Sequence, residues 1–128
     1  MAVEPDASQL QEIQALAGSP EDGPFVMLNL NRYRDRDAYA RYGAVAMSVL
    51  ERVGGRILWH APALSTVVGE DAERYDDVIA VWYPSAAAFV ALATAPEIME
   101  VREDRVAGLE QATLLRCESG DEPVLTAP

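Results

Sequence analysis

From Phe25 to Tyr33 the chain alternates with a period of two. Phe25, Met27, Asn29, Asn31 and Tyr33 form one row, and Val26, Leu28, Leu30 and Arg32 form the other. Side chains spaced in this way point to opposite faces of a strand. The even row is aliphatic apart from Arg32 and suits a face packed under helices. The odd row ends in two amides and a phenol. A dry core does not select these, because an unpartnered buried amide costs roughly 1–3 kcal/mol. The odd row is therefore expected to meet water, backbone or a ligand.

Around this strand the pattern shifts between helical and strand spacing. Leu10, Ile13, Leu16 and Ala17 predict a short helix over Asp6 to Ala17, stopped by Gly18 and Pro20. Asp35 or Asp37 can cap a second helix running to about Val53, with Tyr39, Tyr42, Ala46, Val49, Leu50 and Val53 on its inner stripe. Gly54-Gly55 closes it. Arg56 to about Val68 reads as a strand interrupted by Pro62, which cannot donate to a ladder. Asp77 to Tyr83 reads as a central strand, apolar on both faces. Ser85 opens another helix, Pro96 starts one that runs to about Leu109, and a last strand spans about Ala112 to Cys117.

After the leading helix the order is β-α-β-β-α-β, the ferredoxin-like arrangement. One antiparallel sheet would carry helices on one face. The other face, with Phe25, Met27, Trp82 or Val81, and Leu114 or Leu115, would be a large apolar patch needing a cover. A second copy of the chain, sheet facing sheet, supplies it. The expected divisions are an N-terminal helix and linker (1–23), the ferredoxin-like domain (24–117) and an acidic mobile tail (118–128).

Composition narrows the partners. The 128 residues fit one domain, and the net charge is −11, with 21 acids against 10 bases, all arginine. Nucleic acid and anionic membrane both need a cationic footprint, so neither is an expected partner. Cys117 stands alone, so no disulfide and no CxxC metal site is expected. No apolar run approaches the roughly 20 residues of a membrane span, and no secretory leader is read at the N-terminus; a cytoplasmic location is expected.

Several stretches resemble the DUF1330 family of uncharacterised bacterial proteins. They are Met27-Leu28-Asn29-Leu30-Asn31-Arg32-Tyr33-Arg34, Tyr39-Ala40-Arg41-Tyr42-Gly43, Gly54-Gly55-Arg56-Ile57-Leu58-Trp59, Tyr75-Asp76-Asp77-Val78, Tyr83-Pro84-Ser85 and Arg105-Val106-Ala107-Gly108-Leu109. The resemblance implies a dimeric α+β barrel. Relatives in that superfamily include cofactor-free monooxygenases, polyketide cyclases, lactone isomerases and haem-degrading oxygenases. This chain departs from the family pattern at Asn31 (usually aliphatic), His60 (usually small) and Asp104 (often histidine).

Few residues can carry chemistry. His60 is the lone histidine, with an ordinary pKa near ~6.5 that suits a general base; a partly exposed strand histidine or a hydrogen-bonded structural one is the alternative. Asn29 and Asn31 share a face and can stabilise developing negative charge, or satisfy loose backbone groups at a strand end. Arg105 lies within the apolar stripe of the last helix. It can hold an anionic substituent, as can Arg34, or pair with Asp35, Asp37 or Asp77. The stem of Arg102 can snorkel. Tyr33, Trp59 and Trp82 supply aromatic walls, but Trp82 and Tyr83 point to opposite faces, so only one of that pair can line a barrel. No nucleotide motif, zinc set or GxSxG elbow is present, and no cofactor is expected. The expected function is therefore binding of a small aromatic or polyketide-like molecule. Monooxygenase, cyclase or isomerase chemistry is what the resemblance adds; a non-catalytic binding or assembly module is the alternative.

Overall fold

Short polar caps and glycines mark where each element begins and ends. The structure, a computed structural model, describes residues 2–124. It contains helix α1 (Ala7–Leu16), strand β1 (Phe25–Tyr33), helix α2 (Arg36–Arg52), strand β2 (Arg56–Pro62) and a 3₁₀ turn (Asp71–Glu73). Strand β3 (Asp77–Tyr83), helices α3 (Ala86–Ala93), α4 (Pro96–Glu100) and α5 (Arg102–Gly108), and strand β4 (Leu109–Glu118) follow. Asp6 and Gln9 form a capping box on α1, and the Asp35 carboxylate accepts from the Asp37 and Ala38 N–H groups at the start of α2. Helix α3 has two caps. Ser85 accepts from Ala88 N–H, while the distant Asp22 carboxylate accepts from Ala86 N–H at 2.6 Å and Ala87 N–H at 3.1 Å. Gly54, at φ +87°, turns the chain out of α2.

The four strands form one antiparallel sheet in the order β2-β3-β1-β4, which is the ferredoxin-like topology. Phe25 lies opposite Tyr83, Met27 opposite Val81, Asn29 opposite Ile79 and Asn31 opposite Asp77. The helices cover this odd face. Phe25, Met27, Val81 and Tyr83 pack with Val49, Leu50, Leu92 and Ile98 into the main core, and Phe25 stacks on Tyr83 at 5.4 Å. The expected assignment of faces is therefore reversed: the row that ends in amides lies under the helices. The open face carries Val26, Leu28, Ala80 and Trp82, with Leu115 and Cys117 beside them on β4. The cause is tertiary. The amides find partners inside the fold, and Arg32, at the end of the aliphatic row, is buried under a loop.

Three element boundaries also differ from expectation. β2 ends at Pro62 instead of reaching Val68, since proline offers no N–H to continue the ladder. The long last helix breaks at Val101, where the backbone leaves helical geometry (φ −107°, ψ 10°) and its N–H bonds to Ile98 O. β4 begins at Leu109, directly after α5. Gly108 sits at this junction because a Cβ there would meet Tyr39 backbone N at 2.6 Å, and its carbonyl accepts from Arg34 and Asp35 N–H.

The connection from residue 63 to 76 is tied at its base. Ala63 N–H donates to Asp76 O, Asp76 N–H to Asn31 O, and the Arg32 guanidinium to Asp71 O and Arg74 O. Its tip holds Leu64, Val67 and Val68 almost wholly in water, each above 90% exposed (96%, 91% and 92%). No helix among the described residues is long and apolar enough to cross a membrane.

Candidate functional site

The polar end of the odd row comes together where β1, β2 and β3 lie side by side under the start of α2. A register shift between Ile57 and Trp59 turns His60 onto the helix face, opposite Ile79. From there His60 Nε2 donates to Asp77 Oδ1 at 2.7 Å, and the Tyr33 hydroxyl donates to Asp77 Oδ2 at 2.6 Å. The Asp77 side chain is 10% exposed and the imidazole 50%. The carboxylate is thus fixed at both oxygens, with the histidine reaching out to solvent. A carboxylate at Asp77 only accepts, so Nε2 is the donor of this bond and Nδ1 is the ring nitrogen that Asp77 does not engage. Burial first, and then the Asp77 carboxylate, push the Tyr33 phenol far above its ordinary pKa, so it remains a donor.

Behind this triplet runs a row of aromatic rings. Tyr33 and Tyr39 are 5.0 Å apart between centroids, and Tyr39 and Tyr42 are 5.5 Å apart. Buried Asn31 donates to the Tyr39 hydroxyl at 3.2 Å. Burial raises the Tyr39 and Tyr42 phenols as well, with the nearby Arg105 charge opposing the rise. Arg36 lies over the outer face of Tyr33, 4.8 Å from the centroid.

The remaining candidate residues divide. The Asn29 amide nitrogen donates to Met27 O and Ile79 O, so it serves the backbone and does not join the His60–Asp77–Tyr33 group. Arg105 pairs with none of Asp35, Asp37 or Asp77. It lies over Tyr42 and donates to Val3 O at 2.5 Å, while Arg102 pairs with Glu4 instead of merely snorkelling. The two arginines thereby hold the N-terminal segment, whose Ala2 O also accepts from Ala112 N–H. Arg34 is exposed and engages Gly108 O through its backbone. Trp59 and Trp82 lie on the opposite, open face, and Tyr83 lies in the helix-side core, so the two tryptophans are separated from His60 by the sheet itself. Asp77 is the residue that sequence reading missed in this role; it was considered only as a partner for Arg105. Its place at the first position of a strand antiparallel to the one bearing His60 was the available signal.

Two hollows are described, and neither is lined by His60, Asp77 or Tyr33. One, of about 200 Å³, is on the open face between Val26, Leu28, Trp59, Ala80 and the residues after β4. The other, of about 390 Å³, lies within the 63–76 connection. No group of three or more His, Cys, Asp or Glu side chains suited to a metal ion occurs among the described residues.

Fold and topology define an α+β protein of the ferredoxin-like class. Within that class the chain belongs to the DUF1330 family, a domain of unknown function, whose family model matches residues 24–116. A protein of unknown function from Rhodopseudomonas palustris is 32% identical over 91% of this chain and 95% of its own, with a TM-score of 0.81. A DABB-family protein with a ferredoxin-like fold from Mesorhizobium loti is 14% identical over 76% of this chain and 97% of its own, at a TM-score of 0.54. A dimeric ferredoxin-like protein of unknown function from a Jannaschia species is 18% identical over 76% of this chain and all (100%) of its own, at 0.51. The last two are likenesses of fold alone. No curated protein matches the chain.

Proposed function

We propose that this protein is a homodimeric α+β barrel in which each subunit acts on a small, enolisable aromatic or polyketide-like molecule by proton transfer at His60, with no cofactor. The observation that carries the chemistry is the His60–Asp77–Tyr33 run. An accessible imidazole whose inner nitrogen is held by a buried, doubly bonded carboxylate has the arrangement of a general base and its orienting partner. A proton leaves an acidic C–H or O–H of the substrate for Nδ1. The imidazolium that forms is stabilised by Asp77, and the same proton is returned at another atom of the enolate, which is an isomerisation step. Asn31 and Tyr39 hold the ring row behind His60, and Arg36 lies over its Tyr33 end. Asn29 has no part in this reading.

The dimer reading rests on the open face. Leu28, Trp59 and Leu115 form an apolar surface of the kind one copy of a chain covers on another, and the Jannaschia protein of the same fold is described as dimeric.

The test of the base uses acetylacetone in deuterium oxide, with incorporation of deuterium at its central carbon followed by NMR. The protein is expected to speed exchange, and His60→Gln to lose at least about 10²-fold of that acceleration, the lower end of general-base contributions. Equal exchange by His60→Gln removes the base from the protein. The second reading, a non-catalytic binding or assembly module, then stands; the apolar hollow on the open face, which His60 does not line, favours it.

A further inference from the structure

The open face of the sheet is already occupied at one end. After β4 the chain folds back, and Gly120 O accepts a hydrogen bond from the Trp82 indole at 3.3 Å. Val124 reaches the hollow that Val26, Leu28, Trp59 and Ala80 line on the same face. Val26, Ala80 and Trp82 are buried although no helix lies over them. A buried indole N–H needs an acceptor, and the tail supplies it. The segment also lies beyond the 24–116 span that the family shares. The tail expected to be mobile therefore touches the open face at Gly120 and Val124, while residues 121–124 stay largely exposed; residues 125–128 lie outside the described residues.

We infer that residues 119–124 are an internal ligand of the open face, which a second copy of this chain must displace in order to dimerise. The inference rests on the facing-sheet dimer proposed above. In a two-fold interface the same patch meets its own copy, so Trp82, Val26 and Leu28 cannot face a partner while the tail lies over them. Leaving both tails in place would also trap Asp121 and Glu122 of each chain in one interface, like charges with no lysine or arginine of the tail to offset them.

Both copies must release their tails, so the closing equilibrium enters twice. If the tail is closed about five times as often as open, the apparent dimer Kd rises by (1 + 5)², or about 36-fold. This makes assembly steeply sensitive to whatever binds or cuts the tail.

The experiment compares the full chain, the full chain with Val124→Asp, and a chain ending at Glu118. None of these changes alters a residue of the sheet. Sedimentation velocity over a concentration series gives the dimer Kd, and acrylamide quenching of tryptophan fluorescence at monomer concentrations reports cover over Trp82. The chain ending at Glu118 is expected to dimerise at least tenfold more tightly and to be quenched more readily, with Val124→Asp in between. Unchanged or weaker dimerisation, or unchanged quenching, overturns the inference while leaving the dimer itself intact. If neither full nor shortened chain dimerises at any concentration, the facing-sheet reading falls, and the inference with it.

Discussion

On the helix side of the sheet, Asn31 and Asp77 are polar groups out of water, and each has its partner inside the same chain. On the open side, Leu115 and Trp59 are apolar groups still in water, at 46% and 38% exposure. The first face is finished by local chemistry: a tyrosine hydroxyl meets an amide, and a carboxylate meets an imidazole and a phenol. The second face is unfinished, and its own tail covers only one end of it. A residue's polarity thus does not say which side of a sheet it lies on; the supply of partners does. Buried polar groups are tolerated where every one is bonded, and apolar groups stay exposed where their cover comes from elsewhere.

The widest separation between the faces should appear in stability. Phe25→Ala empties the packed side beneath α2 and α3 and is expected to cost about 3–5 kcal/mol in urea unfolding. Leu115→Ala on the open side should change the unfolding of the isolated subunit by no more than about 0.5 kcal/mol and instead raise the Kd of the proposed dimer. Equal costs for the two would erase the distinction. Next in size, Asn31→Ala strips the Tyr39 hydroxyl of its donor in a buried place and should cost about 1–3 kcal/mol. A neutral result would mean that the polar end is wetter than its partners imply.

The smallest effect concerns Asp22, at the far end of the helix layer. Burial alone would raise its pKa, but N–H groups of Gly18, Ala86, Ala87 and Gly23 outweigh burial and hold it below 3.8. The folded pKa lies below the unfolded one. The stabilisation is therefore complete above the unfolded value and drains away as pH falls through the folded value. Asp22→Ala should cost about 1 kcal/mol at pH 7, the size of a lost helix cap, and the gap to the parent chain should narrow steadily below pH 3.8. A gap independent of pH would show that the cap acts without its charge.

Most elements were legible in the sequence because their signals are local: the alternation of Phe25–Tyr33, the caps Asp35 and Ser85, and Gly54 at a left-handed turn; Pro62 was legible as a break in the strand but not as its end. Which face the helices take was not legible. Alternation separates two rows without labelling them, and the partners of Asn29 and Asn31 lie on other elements. The candidate site was half legible. His60, Asn31 and Tyr33 stood out by type, yet their meeting with Asp77 depends on the shift between Ile57 and Trp59. Without it, Trp59 would share the face of Ile57 and His60 would turn to the open side. Nothing in the composition of Ile57-Leu58-Trp59 announces that extra residue. Trp59 and Trp82 were grouped with His60 for their aromatic character alone, and the sheet stands between them.

The loop from residue 63 to 76 carries a consequence for handling the protein. Its tip, with Leu64, Val67 and Val68 in water, is open to a protease, while its base is stitched to Asn31 and Arg32. A cut at the tip leaves every strand pairing in place, so the two fragments should travel together through a sizing column. The same point is where the chain can be given new ends. A permuted protein opening between Leu64 and Val68 would begin at the 3₁₀ turn and finish after β2, with its sheet unchanged.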